Sequence, residues 1–283
     1  MGLVKQPASE SAGTERSRSR LCLVGAGAIG QRLAELLAQR PSSAIELVAV
    51  AERPVSSVKP WWPASVRLLT DPSDLAATRP DIVLEAASRQ AVIEWGEPAL
   101  RCARKFIVCS ASALTDDSLL GTLLETARAA GSQLVVPHGA LGGLQALSAA
   151  SLLPLDTVTH TIRKPPEAWR GTMAETVADL ETIAIATVLF DGSAREAASS
   201  YPANANAVVL SSLAGIGLDR TLVTLVADPA VSRNVHEVAA RGAFGAFSFR
   251  IENEPMPANP KTSDMAALNL VRLLESEVGA LVV

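Results

Sequence analysis

Aromatic side chains are scarce in this 283-residue chain, which has 5 Phe, 4 Trp and 1 Tyr. Its core must therefore be filled mainly by Ala, Val and Leu. Apolar material is ample, because hydrophobic residues make up 48% of the chain and charged residues only 19%. Such a composition excludes a globally disordered chain. The length predicts about two domains, at roughly 150 residues each.

Cysteine is also sparse, with only Cys22, Cys102 and Cys109. An odd number of cysteines without a CxxC pair argues against a disulfide framework and against a structural zinc site. Cys22 and Cys109 lie in apolar runs typical of strands, where they are expected to be small buried side chains. The sequence predicts no metal site.

Neither sign of charge dominates, and no apolar run is long. The formal net charge is −4 and the pI is near 5.5, which is not the electrostatic footprint of a nucleic-acid binder. No run approaches the roughly 18 apolar residues of a membrane span. The Ser- and Arg-rich start lacks the apolar segment of a secretory signal. We expect a cytoplasmic protein that binds neither nucleic acid nor membranes, with a disordered tail over residues 1–18.

Strands alternate with helices from Arg20 to Val136. This pattern predicts an α/β fold, a Rossmann-type doubly wound parallel sheet. After Gly139 strands of alternating polarity predominate, which predicts a second α+β domain with a mostly antiparallel sheet. We expect the first domain over residues 19–138, joined by a C-terminal helix over 263–283, and the second over 139–262.

A glycine cluster, Gly25-Ala26-Gly27-Ala28-Ile29-Gly30, lies between the first predicted strand and the next helix. Alone, it indicates no more than a strand-to-helix turn. With an acidic residue, Glu52, about 20 residues downstream, it matches the dinucleotide-binding fingerprint. The first glycine makes a tight turn, the second lets the backbone approach a pyrophosphate, and the third lets the helix pack close to the strand. The predicted cofactor contacts here are Gly25, Gly27, Ala28, Ile29 and Gly30.

Glu52 and Arg53, at the end of the second predicted strand, bear on the choice of dinucleotide. A carboxylate there accepts hydrogen bonds from the ribose hydroxyls of NAD and repels the extra phosphate of NADP. Arg53 could instead pair with that phosphate, and a solvated charge pair is a third interpretation. We expect NAD, with NADP as the alternative.

Three histidines are candidates for proton transfer, because an unperturbed imidazole titrates near neutral pH. His160 alternates within a predicted strand and is expected to be an ordinary strand residue. His138 lies where the parallel sheet ends, close to any bound nicotinamide, and His236 lies on a later strand. A structural role is the commoner one for any single histidine. The pattern alone does not choose between His138 and His236.

Two polar loops of the second domain could hold an acidic substrate. The segment Asn259-Pro260-Lys261-Thr262-Ser263 presents an amide, an ammonium and two hydroxyls just before the last helix, a group suited to a carboxylate. The alternative is a rigid linker in which Thr262 or Ser263 caps that helix. Lys164, in a second basic turn, is a further candidate.

Asn204 and Asn206 open the most apolar of the predicted helices. Capping is the expected role of Asn204, since asparagine is a preferred first residue of helices. Asn206 is a candidate for contact with the carboxamide of a nicotinamide.

Together these segments resemble the L-aspartate dehydrogenase family. The matching stretches run in order along nearly the whole chain after residue 20, and the later ones are more specific than the glycine cluster. They are Gly25-Ala26-Gly27-Ala28-Ile29-Gly30, Leu84-Glu85-Ala86-Ala87-Ser88, Ser110-Ala111-Ser112-Ala113-Leu114, Gly139-Ala140-Leu141-Gly142-Gly143-Leu144, Arg163-Lys164-Pro165-Pro166, Tyr201-Pro202-Ala203-Asn204-Ala205-Asn206 and Asn259-Pro260-Lys261-Thr262-Ser263.

The resemblance implies an NAD(P)-dependent enzyme that oxidises the CH–NH2 group of L-aspartate to iminoaspartate. That product would hydrolyse to oxaloacetate and ammonia, or feed the synthesis of quinolinate and hence of NAD. The resemblance also implies cofactor contacts at Ala86, Ala140 and Asn206, and His236 as the catalytic histidine. It further implies a homodimer formed through the sheet of the second domain.

One residue departs from the family's pattern. The family usually has a small residue, often Ser, before the Gly139-Ala140 pair, whereas this chain has His138. A ring pointing at the nicotinamide would alter the cofactor pocket or the pH profile. His138 thus joins the residues of the two polar loops as a weaker substrate-site candidate. The full set is Lys164, Asn259, Lys261, Thr262, Ser263 and His138.

Two other functions fit the same two-domain build. One is another small-substrate oxidoreductase, similar to homoserine dehydrogenase or to dihydrodipicolinate reductase. The other is a non-catalytic protein that senses dinucleotides. The fold alone does not separate these functions.

Overall fold

The structure is a computed structural model that describes residues 18–40, 44–52, 59–256 and 258–282. Residues 1–17 of the predicted tail lie outside the described residues. A first sheet has six parallel strands in the order β3-β2-β1-β4-β5-β6. These strands are β1 Ser19–Val24, β2 Ile45–Ala51, β3 Arg67–Leu69, β4 Ile82–Glu85, β5 Lys105–Val108 and β6 Gln133–Val135. The strand order reverses between β1 and β4, and open α/β sheets bind ligands at such a reversal.

Helices cover both faces of this sheet, which confirms the predicted doubly wound architecture. Leu33 and Leu36 form the buried stripe of the first helix, and they pack against Leu270 and Leu274 of the last. A second pair of helices covers the opposite face. The four helices are α1 Ala28–Ala38, α2 Arg89–Cys102, α3 Asp117–Ala130 and α8 Asp264–Val278.

An ion pair also joins α1 to α8. Arg32 on α1 donates from Nε and Nη2 to the two carboxylate oxygens of Asp264, the first residue of α8, at 2.8 and 2.9 Å. Together with the apolar contacts between α1 and α8, this bidentate pair places the last helix of the chain on the first sheet.

The second sheet has five strands in the order β11-β10-β7-β9-β8. Its strands are β7 Leu155–Lys164, β8 Thr187–Ser193, β9 Leu222–Ala227, β10 Asn234–Gly242 and β11 Gly245–Asn253. Only β7 and β9 run parallel, and the other three pairs are antiparallel. The prediction of a mostly antiparallel second sheet is therefore confirmed.

Helices α4 Leu144–Ala150, α6 Ala194–Ser200 and α7 Ala205–Ala214 cover one face of the second sheet. The side chains of Val208 and Val209 are buried between α7 and the strands. The core beneath α2 and α3 continues into this layer without a break. A further short helix is α5 Ala174–Val177. The described residues also form 3-10 turns at Pro72–Thr78, Ala111–Thr115, Pro166–Trp169 and Pro202–Asn204.

The polar loop before α8 folds back on itself as a small hairpin. Its strands, β12 Pro255–Met256 and β13 Asn259–Ser263, pair antiparallel, so this segment is more ordered than a linker. None of the helices within the described ranges combines the length and the apolar character needed to cross a membrane.

Candidate active site

Two cavities open at the carboxyl ends of the first sheet. A cleft of about 420 Å³ lies beside the glycine cluster and is called here the glycine-loop cleft; its lining includes Gly25, Gly27, Glu52, Ala86 and Ser88. A cavity of about 210 Å³ lies between the two sheets and is called here the interdomain cavity; its lining includes Ile29, Ala140, Lys164, Asn206 and His236. Most of the predicted site residues lie on one of these two surfaces.

The three glycines of the cluster have separate roles in the structure. Gly25 has φ +108°, a conformation that favours glycine, and a Cβ there would lie 2.7 Å from the carbonyl oxygen of Ala86. A Cβ on Gly30 would lie 2.4 Å from the carbonyl oxygen of Gly25. At Gly27, by contrast, a Cβ would meet nothing within 4 Å. Gly25 and Gly30 are needed for packing, whereas Gly27 keeps space open in the cleft.

That open space lies at the start of α1, which begins at Ala28 directly after Gly27. No side chain of the described residues caps this helix, so its first backbone N–H groups remain available to a ligand. The start of a helix favours negative charge, because its N–H groups and its dipole point the same way. The cleft therefore fits the pyrophosphate of a dinucleotide.

Glu52 supplies the acceptor expected for the ribose end of that ligand. Its Oε1 lies 3.6 Å from Nζ of Lys59. Its Oε2 is buried and has no hydrogen-bond partner among the described residues. A buried oxygen without a donor is costly, and a ribose hydroxyl would satisfy it. Arg53, the other residue predicted to bear on the dinucleotide, lies outside the described residues.

A buried carboxylate that the sequence patterns did not single out holds this end of the sheet together. Glu85, the last residue of β4, is fully buried. It accepts hydrogen bonds from the N–H groups of Ala87, Ser88 and Ser110 at 2.7–2.9 Å and from the Ser110 hydroxyl at 2.8 Å. Burial raises the pKa of Glu85, and these four donors oppose that rise. The loops that follow β4 and β5 are thus tied to one carboxylate.

Asn206 and Ala140 are both held in place at the interdomain cavity. Oδ1 of Asn206 accepts from the N–H of Ser112 at 2.9 Å, so the amide is oriented with its NH2 group left for the cavity. The carbonyl oxygen of Ala140 accepts from Nδ2 of Asn253 at 3.0 Å. The preceding carbonyl, of Gly139, accepts from Nδ2 of Asn269 at 2.7 Å. The backbone at the mouth of the cavity is therefore fixed from two sides.

His236 reaches the interdomain cavity from β10, and it does not stand alone. Its Nδ1 lies 3.1 Å from Nε2 of His160 on β7, whose Nδ1 lies 2.9 Å from Oγ of Ser211 on α7. Burial lowers the pKa of His160 to about 3. Burial, and then the charges of His160 and Lys164, lower the pKa of His236 well below its usual range. Both rings are therefore neutral near pH 7.

Lys164 brings a cation to the same cavity. Its Nζ donates to Oδ1 of Asn204 at 2.5 Å and lies 5.1 Å from the centre of the Trp169 ring, a cation–π arrangement. Burial lowers the pKa of Lys164 to about 8, so the amine is mostly charged at pH 7. Within the described part of the chain, no carboxylate forms a salt bridge with Lys164.

The remaining candidates divide between the cavity and its surroundings. Thr262 and Ser263 line the interdomain cavity, and Ser263 precedes α8 without capping it by its side chain. Asn259 donates to Oγ1 of Thr262 at 3.2 Å and is not among the lining residues. Lys261 lies in β13, but its side chain lies outside what the structure describes.

His138 is directed away from the interdomain cavity. Its side chain is exposed and lines a different cavity, of about 470 Å³, together with Gln145 and Arg272. The structure therefore does not bring this ring to the wall that Ala140 and His236 share, although His138 is only two residues from Ala140 in the chain.

Two expectations from the sequence are corrected by these contacts. His160 is not an ordinary strand residue, because it hydrogen bonds with His236. Asn204 does not cap the following helix with its side chain, which accepts from Lys164 instead. The alternation of β7 contained a signal for the first correction, since residues 160, 162 and 164 share one face of a strand.

Comparison with known proteins agrees with this geometry. A family model described as "Homoserine dehydrogenase, NAD binding domain" matches residues 25–137, and one described as "Aspartate dehydrogenase, C-terminal" matches residues 145–277. Fold and site define a two-domain dehydrogenase that uses a nicotinamide dinucleotide. An L-aspartate dehydrogenase of Brucella anthropi is 50% identical over 263 residues, which cover 93% of this chain and 98% of that protein. The chain belongs to the L-aspartate dehydrogenase family.

Solved structures are consistent with this assignment. The crystal structure of aspartate dehydrogenase from Thermotoga maritima matches with a TM-score of 0.75 and 26% identity, and the match covers 94% of this chain and 99% of that one. A hyperthermophilic archaeal homoserine dehydrogenase in complex with NADPH has a TM-score of 0.61 at 9% identity over 92% of this chain and 98% of that one. That second likeness shows a shared fold alone.

Two alanine substitutions separate the roles of the glycines. We expect Gly27→Ala to fold normally but to weaken dinucleotide binding by at least roughly tenfold, because its Cβ fills the open space in the cleft. Gly30→Ala should instead lower the free energy of unfolding by about 1–3 kcal/mol, since its Cβ overlaps a backbone oxygen. Urea unfolding and titration of NADH fluorescence measure the two effects. Equal loss of stability in both variants would contradict this division.

The buried histidines predict a pH dependence of stability. Their pKa values are lower in the folded than in the unfolded chain, where a histidine titrates near 6.5. The unfolded chain therefore binds more protons below that pH. The free energy of unfolding falls by up to about 1.4 kcal/mol per histidine for each pH unit of acidification. His160→Gln should reduce the slope of the free energy of unfolding against pH by up to about 1.4 kcal/mol per pH unit, the contribution of one proton. Urea unfolding from about pH 7 to about pH 5 would measure this slope. His138→Gln, which replaces an exposed ring, should change it less; an unchanged slope in His160→Gln would refute the prediction.

Proposed function

We propose that this protein is an NAD(P)-dependent L-aspartate dehydrogenase that oxidises L-aspartate to iminoaspartate. The product then hydrolyses to oxaloacetate and ammonia or enters quinolinate formation, which leads to NAD. The observation that carries the proposal is the pairing of a neutral imidazole, His236, with an ammonium group, Lys164, on the wall of one cavity beside Asn206 and Ala140.

The cofactor would be held along the carboxyl ends of the first sheet. Gly25, Gly27, Ala28, Ile29 and Gly30 would hold its pyrophosphate, Glu52 its adenosine ribose, and Ala86 would pack beside it. Ala140 and the amide of Asn206 would hold its nicotinamide end. When bound, the nicotinamide supplies the acceptor for the hydride that leaves Cα of L-aspartate.

The substrate carries two carboxylates, and the cavity offers few groups to receive them. Lys164 is the described cation on its wall, and the hydroxyls of Thr262 and Ser263 lie on the same cavity. A charge-assisted hydrogen bond from Lys164 to one carboxylate would be strong in this partly dry setting. Lys261 and Asn259 remain predicted contributors from the same hairpin.

His236 would take the proton that the reaction releases. The amino group of L-aspartate is an ammonium ion near pH 7, and it must lose one proton before its lone pair can assist departure of the hydride. Nε2 of His236 would accept this proton and release it to solvent through the cavity. In the hydrolytic path the neutral ring would then take a proton from the water molecule that attacks the imine. The two carboxylates of a bound substrate would raise the pKa of His236 from its low value, because negative charge favours the imidazolium.

The alternatives fit less well. The family model that matches the C-terminal part is that of aspartate dehydrogenase, whereas the homoserine dehydrogenase model matches only the dinucleotide-binding part. A non-catalytic sensor would have no use for a neutral imidazole and a cation in one cavity. Consumption of NADH with oxaloacetate and ammonia, compared with carbonyl substrates related to homoserine, distinguishes all three.

We further propose the domain division predicted above, with residues 19–138 and 263–283 on the dinucleotide side and 139–262 as the substrate-binding and dimerisation domain. A homodimer through the second sheet is supported by its face away from the helices, where Thr159, Leu222 and Glu237 are at least partly exposed. Light scattering distinguishes the dimer from a monomer. A cytoplasmic location stays a prediction.

Replacement of His236 by alanine tests the proposed chemistry. We expect His236→Ala to lower turnover of L-aspartate by at least roughly a hundredfold, a typical contribution of a general base, while the affinity for NADH is kept. His138→Ala should retain at least about a third of the turnover, because a ring outside the cavity makes no contact with the reacting groups. Near-normal turnover in His236→Ala would refute the assignment.

The choice between NAD and NADP depends on Glu52. We expect the protein to prefer NAD, because the buried Oε2 accepts from a ribose hydroxyl and would repel a phosphate. Glu52→Ser should lower the ratio of kcat/KM for NAD to that for NADP by roughly tenfold or more, since it removes the repulsion as well as the acceptor. Steady-state kinetics with both dinucleotides measure this ratio. Its persistence in Glu52→Ser would show that other groups set the preference.

A further inference from the structure

A buried chain of hydrogen bonds lies behind His236. It runs from Nδ1 of His236 to Nε2 of His160 at 3.1 Å, and from Nδ1 of His160 to Oγ of Ser211 at 2.9 Å. It ends where Oγ of Ser211 meets the carbonyl oxygen of Val208 at 3.0 Å. His160 and Ser211 have no exposed surface and His236 is 7% exposed, so solvent does not compete for these bonds.

The far end of the chain sets the direction of every bond in it. A carbonyl oxygen can only accept, so the Ser211 hydroxyl donates to Val208 and its oxygen accepts from Nδ1–H of His160. A neutral imidazole carries one N–H, which leaves Nε2 of His160 bare to accept from Nδ1–H of His236. By the same rule Nε2 of His236 carries no proton.

That bare nitrogen is the one available to the interdomain cavity. His236 lines the cavity, whereas His160 and Ser211 do not. Among the residues that the structure describes, Nε2 of His236 has no hydrogen-bond partner, and it is not one of the fully buried polar atoms that lack a partner.

We propose that His160, supported by Ser211, is a positioning residue that holds His236 in the tautomer whose bare Nε2 points into the cavity. This inference rests on the proposed function, in which His236 takes the proton of the substrate. The opposite tautomer would present an N–H to the cavity and could not accept that proton. Without an acceptor behind Nδ1, the ring would also be free to exchange between tautomers.

This row of hydrogen bonds orients the ring of His236 but does not carry protons away from it. A proton accepted at Nε2 of His236 leaves both of its nitrogens protonated, with Nδ1–H still donated to His160. Beyond His160, the hydrogen bonds end at the carbonyl oxygen of Val208, which does not take up a proton near neutral pH. The proton must therefore leave His236 by way of the cavity.

Two adjacent serines of α7 provide a matched test. Ser211 and Ser212 are both fully buried, and both hydroxyls donate to the carbonyl oxygen of Val208, at 3.0 and 2.7 Å. Only Ser211 is hydrogen bonded to His160. Loss of either hydroxyl leaves a similar defect in the helix, whereas only Ser211→Ala removes the group that orients His160.

We expect Ser211→Ala to lower kcat for L-aspartate by roughly tenfold with KM values within about twofold, because a wrong tautomer affects proton transfer and not binding. Ser212→Ala should keep kcat within about twofold of the unsubstituted protein, even if its Tm falls as much as that of Ser211→Ala. His160→Leu should lose roughly a hundredfold. His160→Gln should recover part of that loss, since its amide oxygen can accept from Nδ1–H. Equal losses of kcat in the two serine variants would overturn the proposal.

Nitrogen-15 NMR spectra of the histidine rings give a readout that does not depend on turnover. The chain has only three histidines, and the signal missing in His236→Ala identifies His236. We expect the Nδ1–H tautomer in the unsubstituted protein and in Ser212→Ala, and a mixture in Ser211→Ala. An Nε2–H tautomer in the unsubstituted protein would overturn the proposal. A protein that does not oxidise L-aspartate would refute the proposed function instead, and these spectra would still decide the tautomer.

Discussion

One buried carboxylate connects the two halves of the site. The buried carboxyl group of Glu85 is tolerated at the end of β4 because four donors reach it, and those donors belong to two different loops. The first loop, Ala86–Ser88, lines the glycine-loop cleft. The second continues from Ser110 to Ser112, whose N–H holds Asn206 at the interdomain cavity. The position of the glycine-loop cleft relative to the interdomain cavity thus depends on the hydrogen bonds to this one side chain.

On the opposite wall of the interdomain cavity, buried groups are stabilised without any carboxylate of the described residues. No carboxylate among the described residues pairs with His160 or His236. Burial therefore keeps both rings neutral, and one hydrogen bond joins them. Lys164 keeps most of its charge because the face of Trp169 and the oxygen of Asn204 stabilise an ammonium group. Among the described residues, a neutral acceptor of protons and a cation therefore lie on the wall of the same cavity. That combination suits an acidic amino acid, whose amine must lose a proton while its carboxylates are held.

Much of the fold could be predicted from local patterns. The apolar runs that became β1 and β2 and the mostly alternating patterns of β7, β9 and β10 reflect burial on two faces or on one, and burial acts residue by residue. The contact that requires Gly30 is equally local, because it lies within one strand-turn-helix unit, whereas Gly25 meets the loop after the neighbouring strand β4. Motif order along the chain was enough to indicate the family. The hairpin of β12 and β13 was missed, since its polar segment was interpreted as a loop or a rigid linker.

The sequence by itself determined the two sheets, the dinucleotide loop and the set of polar residues from which the site is built, because steric and hydrophobic preferences are short in range. Only the tertiary structure decided which of those residues meet. His160 and His236 are 76 positions apart, and the antiparallel register of β7 and β10 makes them diagonal neighbours. His138, two residues from Ala140, has its side chain in another cavity because the chain turns between them. Hydrogen-bond partners depend on sheet order and register, which no single segment of the chain contains.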